Sequence, residues 1–170
     1  MDAKLLEPPA DERTESLALQ ERQPWFPAAV LCLLEAPDEV EVLSLAPWYP
    51  DDEDEEVPQG PGLLYGHRIR GVARVPTSDR RCALARALVA ANRQGDGWAL
   101  CFDPHYAVRV SRGGQTADFL ICFWCGNVRV IGPGAVAVTY PFGGSAARLL
   151  RRELRRGGVG WLWFWRRWLA

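Results

Sequence analysis

The residues of this chain best equipped for chemistry are Cys101, His105, Cys122 and Cys125. Cys122 and Cys125 stand three apart in "DFLICFWCGNVRVI", and Gly126 follows at once, which is how half of a zinc knuckle is written. A structural zinc ion needs four Cys or His ligands, and Cys101 with His105 is the second pair at hand. The thiols would deprotonate on binding, leaving His105 as the lone nitrogen ligand. The same stretch also reads as a buried strand, where free cysteines serve as small hydrophobes. A strand running straight through would point Cys122 and Cys125 to opposite faces. A single CxxC is a weak signal, so the reading favours buried thiols. A zinc-binding or thiol-based protein built on Cys101, His105, Cys122 and Cys125 is the alternative. Five cysteines, an odd number, also argue against a disulfide framework. A thioredoxin-like redox pair would want its first Cys at a helix N-terminus. Here the flanking Phe, Ile and Trp read as strand.

Other chemistry finds less support. His67 and His105 are the two histidines. Cys122 with His105 lacks an acidic residue to orient the imidazole, since Asp118 is claimed by Arg109 in the pairing below. No phosphate loop, dinucleotide fingerprint or HExxH occurs. The run "DDEDEE" at 51–56 lacks the spaced ligands and glycine of a calcium loop and reads as solvated. No catalytic residue and no cofactor is assigned, with zinc as the alternative.

The tail "GWLWFWRRWLA" is the most unusual segment. Trp161, Trp163, Trp165 and Trp168 around Arg166 and Arg167 are material for a membrane interface or a protein partner. The same residues could dock on the domain itself. Arginine-rich ends also invite a nucleic-acid reading, which the acidic front opposes.

Charge is segregated. Residues 1–60 carry 16 acids against 3 bases, 61–145 carry 10 Arg against 4 Asp, and the last 25 carry 7 Arg against Glu153. The formal net charge of −1 hides this, and the two ends could attract each other within or between molecules. No secretory signal opens the sequence, so a cytoplasmic location is expected.

The elements that must position these residues follow from periodicity and turn chemistry. Residues 1–26 read as a flexible polar arm and 158–170 as the Trp-rich tail. A single α+β domain over 27–157 is expected between them, with an acidic loop at 47–62. A short helix enters at Pro27. "DEVEVLSL" alternates as a strand, with Val40 and Val42 on one face and Glu41, Leu43 and Leu45 on the other. "YGHRIRGVARVP" (65–76) is the next strand. A helix over 78–94, capped by Ser78 and closed at Gly95, shows a Leu84/Leu88/Ala91 stripe. "VSRGGQT" is a hairpin on Gly113-Gly114, because a type I′ turn needs positive φ twice. That turn pairs Val110 with Ala117, Val108 with Phe119 and Tyr106 with Ile121 on one face. On the other it pairs Ser111 with Thr116 and Arg109 with Asp118. It also sets His105 opposite Cys122. Strands broken at Gly132-Pro133-Gly134 follow, and then a helix capped by Ser145 with five arginines outward. The expected fold is a mostly antiparallel sheet of five or six strands, packed by a central helix and a C-terminal helix.

Across about 28–156, "LLEAPDEVEVLSLAP", "YGHRIRGVARV" and "ALCFDPHYAVRVSRGGQTADFLICFWCGNVRV" resemble a family of small uncharacterised bacterial proteins with a "CFxPRHG…DLVICFxC" core. Cys101, Phe102, Pro104, Asp118, Ile121, Cys122, Phe123 and Cys125 stand at matching positions, while Tyr106 holds the place of the pattern's histidine. The resemblance implies the architecture and no activity. The sequence is read as a non-enzymatic binding or structural domain, with the metal or thiol protein and peripheral membrane association through the tail as alternatives.

Overall fold

The computed structural model describes residues 26–46, 60–95 and 102–159, without the side chains of 135–137. Among these residues glycine and proline punctuation marks off seven strands, β1 (Glu39–Leu45), β2 (Leu63–Leu64), β3 (His67–Arg74), β4 (Tyr106–Arg112), β5 (Gln115–Cys122), β6 (Asn127–Gly132) and β7 (Ala135–Pro141). The described α-helices are α1 (Ala28–Glu35), α2 (Ser78–Arg93) and α3 (Ala147–Arg156). All seven strands join one antiparallel sheet in the order β2-β3-β1-β4-β5-β6-β7. The domain is α+β as expected, with more strands than the five or six read from the sequence. The excess is β2, whose two residues are too short to show a period.

The β4–β5 register is the one the Gly113-Gly114 turn dictates, from Tyr106↔Ile121 to Arg112↔Gln115. Gly113 and Gly114 have φ of 57° and 78°, which side-chain-bearing residues rarely adopt. Alternation then sorts the sheet. Val42, Val108, Val110, Phe119, Ile121 and Val130 line one face and are fully or nearly fully buried. The helices cover this face with Val30, Leu84, Leu88 and Leu150. Burying each such side chain contributes roughly 1.5–3 kcal/mol, so this layer carries most of the folding free energy.

Some expectations at the helix ends shift. The N-cap of α2 is Thr77 rather than Ser78, with no side-chain cap bond, and a 3-10 turn (Gly144–Ala146) precedes α3. Phe26 belongs to the core, not to the arm: it is 1% exposed and meets Phe119 edge-on at 5.4 Å. Glu153, the one acid in α3, is buried and gathers Arg80 of α2 with Arg152 and Arg156. At the end of α3 the chain lies so close to β3 that glycine is required. A Cβ on Gly157 would come 2.4 Å from the Ala73 Cβ, and one on Gly71 would come 2.6 Å from Val159.

None of the described helices packs on the second face of the sheet, yet it holds buried residues. Leu43, Leu45, Leu64 and Ala107 form a small cluster there, and Leu120 and Asp118 are buried too. In a flat sheet β2 and β5 would lie four strand spacings apart, about 19 Å. Tyr65, in the turn after β2, nevertheless bonds to Asp118 on β5 at 2.9 Å. The sheet is therefore curled, and this second face forms the inside of the curl.

Candidate functional site

A row of alternating charges crosses this inner face, because paired residues on neighbouring strands share a face. Register places Arg74 (β3), Glu41 (β1), Arg109 (β4) and Asp118 (β5) side by side. Arg74 Nε bonds Glu41 at 3.0 Å. Arg109 grips Asp118 with two parallel bonds, from Nε to Oδ1 at 2.8 Å and from Nη2 to Oδ2 at 3.0 Å. Tyr65 donates a third bond to Oδ2. The Asp118 bond raises the Arg109 pKa. Tyr65 is pushed up to about 12, first by burial of its hydroxyl and then by the bond and charge of Asp118, with Arg109 opposing. Tyr65 keeps φ at 48° in a two-residue turn with Gly66, an uncommon conformation for a bulky residue. Its anchored hydroxyl explains how it is held there. Every group in this row answers another, so the row fixes register rather than performing a reaction.

A second cluster on this side is less satisfied. His67 opens β3, is 9% exposed, and its Nδ1 has no hydrogen-bond partner. Burial lowers its pKa, the charges of Arg129 and His105 lower it further, and Asp103 works against them. The site therefore favours the neutral imidazole. His105 Nε2 stands 3.7 Å from Asp103 Oδ2, too far for a direct hydrogen bond. The Arg129 guanidinium lies 4.4 Å from the centre of the Phe102 ring. The charges of Asp103, His105 and Arg129, from the segment before β4 and from β6, thus all reach His67 at the start of β3.

The cysteines differ most from expectation. Residues 123–126 are not strand but a four-residue turn joining β5 to β6, with Cys122 paired to Asn127 across its base. Gly126, at φ 65°, supplies the left-handed step that closes it. The turn brings Cys122 and Cys125 together instead of sending them to opposite faces, and joins them as a disulfide. This corrects the expectation of thiols. The Cys125 N–H also donates to Cys122 Sγ at 3.1 Å. Both residues are buried, as the strand reading expected, at 0% and 4% exposure. Phe123 packs inward against Tyr106 and Phe142, while Trp124 stands 89% exposed at the tip.

Of the four zinc ligands read from the sequence, the three described ones, His105, Cys122 and Cys125, do not group around one point. Cys101 lies outside the described residues, His105 turns to Asp103, and bonded sulfurs carry no ligand charge. Among the described residues no three His, Cys, Asp or Glu side chains converge in a way that could hold a metal ion. Trp161, Trp163, Trp165, Arg166, Arg167 and Trp168 lie outside the described residues, as does the 51–56 acidic run. No described helix is long and apolar enough to cross a membrane.

Tyr65, His67, Phe102, Asp103 and Arg129 were not singled out by sequence reasoning as site residues. Asp103 is the acid missing from the sequence-level search around His105, and its place two residues upstream was the available signal. A separate open groove of about 600 Å³ runs between α1 and α2, floored by Leu31, Leu34 and Val89 and edged by Glu35, Arg86 and Arg93. No protein-family model, curated protein or solved structure matches the chain.

Proposed function

We propose that this protein is a non-catalytic binding domain whose ligand sits on the inner face of the sheet, against His67, His105 and Arg129. The observation that carries this reading is the buried His67 imidazole with an unpartnered Nδ1. Buried side-chain nitrogens nearly always have a partner, and an orphan calls for something to fill the place. The Arg129 guanidinium, with a His67 imidazole free to hydrogen-bond, favours a small ligand bearing an anionic acceptor group. The rigid Arg109–Asp118–Tyr65 bracket beside them supplies the fixed wall such a site needs. Non-enzymatic action fits the pairing already made within that bracket, which leaves it no free base.

Thermal unfolding of the full chain against phosphate, sulfate, small carboxylic acids and nucleotides tests the reading. A ligand at ten times its Kd stabilises by about 1.4 kcal/mol. For a domain of this size that raises Tm by roughly 5 °C. The rise is expected to disappear in Arg129→Gln and in His67→Phe. A panel that never raises Tm, or a rise that survives both substitutions, overturns the proposal.

A further inference from the structure

The Cys122–Cys125 pair is unused by the binding reading, and its geometry points beyond a structural staple. A disulfide stabilises mainly by removing loop entropy from the unfolded chain, an effect that grows with the length of loop closed. This one spans two intervening residues, the least a CxxC can close. The turn is held without it. Cys122 pairs with Asn127, Phe142 N–H donates to Gly126 O at 2.7 Å, and Phe123 is wedged between Tyr106 and Phe142. Opening the bond therefore leaves β5 and β6 in place.

The two sulfurs are also not equivalent. The Cys125 N–H points at Cys122 Sγ, so negative charge on Cys122 is stabilised once the bond breaks. A stabilised thiolate is the better leaving group in thiol–disulfide exchange. Cys122 is wholly buried, whereas Cys125 keeps 4% of its surface and adjoins the exposed Trp124. Leaving-group quality sets the direction of attack, and the exposed turn tip at Trp124 adjoins the attacked residue.

We propose that Cys122–Cys125 is a thiol–disulfide exchange site whose co-substrate is a thiol, with Cys125 as the attacked sulfur and Cys122 as the leaving thiolate. An incoming thiolate forms a bond to Cys125 Sγ as the Cys125–Cys122 bond breaks, and the electron pair leaves on Cys122. A second thiolate then attacks the incoming partner's sulfur, releasing Cys125 as thiolate and the partner as its disulfide. Two thiols are oxidised, one protein disulfide is reduced, and the protons lost by the thiols balance those the cysteines take up. Oxidation runs the same steps backwards with a low-molecular-weight disulfide. Trp124 offers an apolar surface beside the reacting bond, which suits a thiol carried on an aromatic or peptide partner. In a reducing compartment a disulfide of this kind persists as a cycled species rather than a permanent one.

The test uses the full chain carrying Cys32→Ser, Cys82→Ser and Cys101→Ser, so that 122 and 125 hold the sole cysteines. The folded protein is exposed to rising glutathione, quenched with acid, then unfolded, tagged with an alkylating mass label and mapped by peptide mass. The proposal expects the reduction rate to rise in proportion to thiol concentration, with circular dichroism unchanged. In early quenches the label should fall on Cys122 at least ten times more often than on Cys125. A rate that is independent of thiol, or reduction that occurs only in denaturant, overturns the proposal by making the bond a buried staple. Label found first on Cys125 overturns the direction of attack. If the triple variant does not fold, the same peptide map on the unsubstituted chain reads both quantities. Zinc bound to the pair as isolated, measured by elemental mass spectrometry, would instead make it a metal site and also overturn the proposal.

Discussion

Replacing Asp118 with Ala separates a pairing that holds the fold from one that decorates it. Asp118 is 4% exposed and accepts three hydrogen bonds, two from Arg109 and one from Tyr65. Hydrogen bonds to charged groups contribute roughly 1.5–3 kcal/mol each when counted singly, and these three share one carboxylate and do not add. Breaking a fully buried ion pair costs about 3–5 kcal/mol because a charge is stranded. Arg109, however, keeps 38% of its side chain exposed and can rehydrate. The expected loss is therefore about 2–3 kcal/mol. With a urea slope of roughly 1.5–2 kcal/mol/M for a domain of this size, the unfolding midpoint should fall by about 1.5 M. Arg74→Ala removes the other pairing in the same row, where Arg74 is 87% exposed. An exposed pair of that kind is worth at most about 1 kcal/mol, so the midpoint should move by well under half as much. Equal shifts for Asp118→Ala and Arg74→Ala in urea unfolding followed by circular dichroism would refute the reasoning. The bracket would then hold nothing together.

His67 gives a pH dependence of definite sign. Its folded pKa lies below the ordinary 6.5, so the unfolded chain binds the proton more readily. Its contribution is present above about pH 6.5 and is lost as pH falls through that value toward the folded pKa. Urea midpoints should drop between pH 7.5 and 5.5, and His67→Phe should flatten that part of the curve. Gly157→Ala pushes a Cβ to 2.4 Å from Ala73, where backbone leaves no room, and should cost about 1–3 kcal/mol. Gly144→Ala meets nothing within 4 Å and should stay within about 0.5 kcal/mol in the same denaturation series. The membrane reading of the tail is tested by co-sedimentation with anionic liposomes. Deleting 160–170 should abolish sedimentation, and a full chain that never sediments ends that reading.

The parts of the fold legible beforehand were those that local rules determine. Gly113-Gly114 permits one kind of turn, and that turn alone sets seven residue pairs, including Arg109 with Asp118. The Leu84/Leu88/Ala91 stripe declared α2 and the face it buries. The Cys122–Cys125 turn was hidden because "ICFWCGNV" is apolar almost throughout, and the partly buried Phe123 on one side of the turn mimics a continuing strand. Gly126 was the one signal, and it admits a bulge as readily as a turn. The candidate site was illegible for a different reason. Tyr65 and Asp118 are 53 residues apart and meet because the sheet curls, which no local pattern encodes. His67, Asp103 and Arg129 come together by the same curl.

The arginines interleaved along β3 acquire a meaning from the shortness of β2. Among the described residues β2 pairs with β3 at His67 and Arg68 and no strand pairs with it further along that side. A ladder left open in this way invites pairing with another chain, and charged side chains are the usual protection. Arg68, Arg70 and Arg74 are all exposed, and they interrupt a run that would otherwise read Ile69, Gly71, Val72, Ala73, Val75. Remove those charges and the segment becomes short, uncharged and rich in β-branched residues, the composition from which fibrils grow. The basic character of this strand thus governs how concentrated the protein can become before its copies begin to recruit one another.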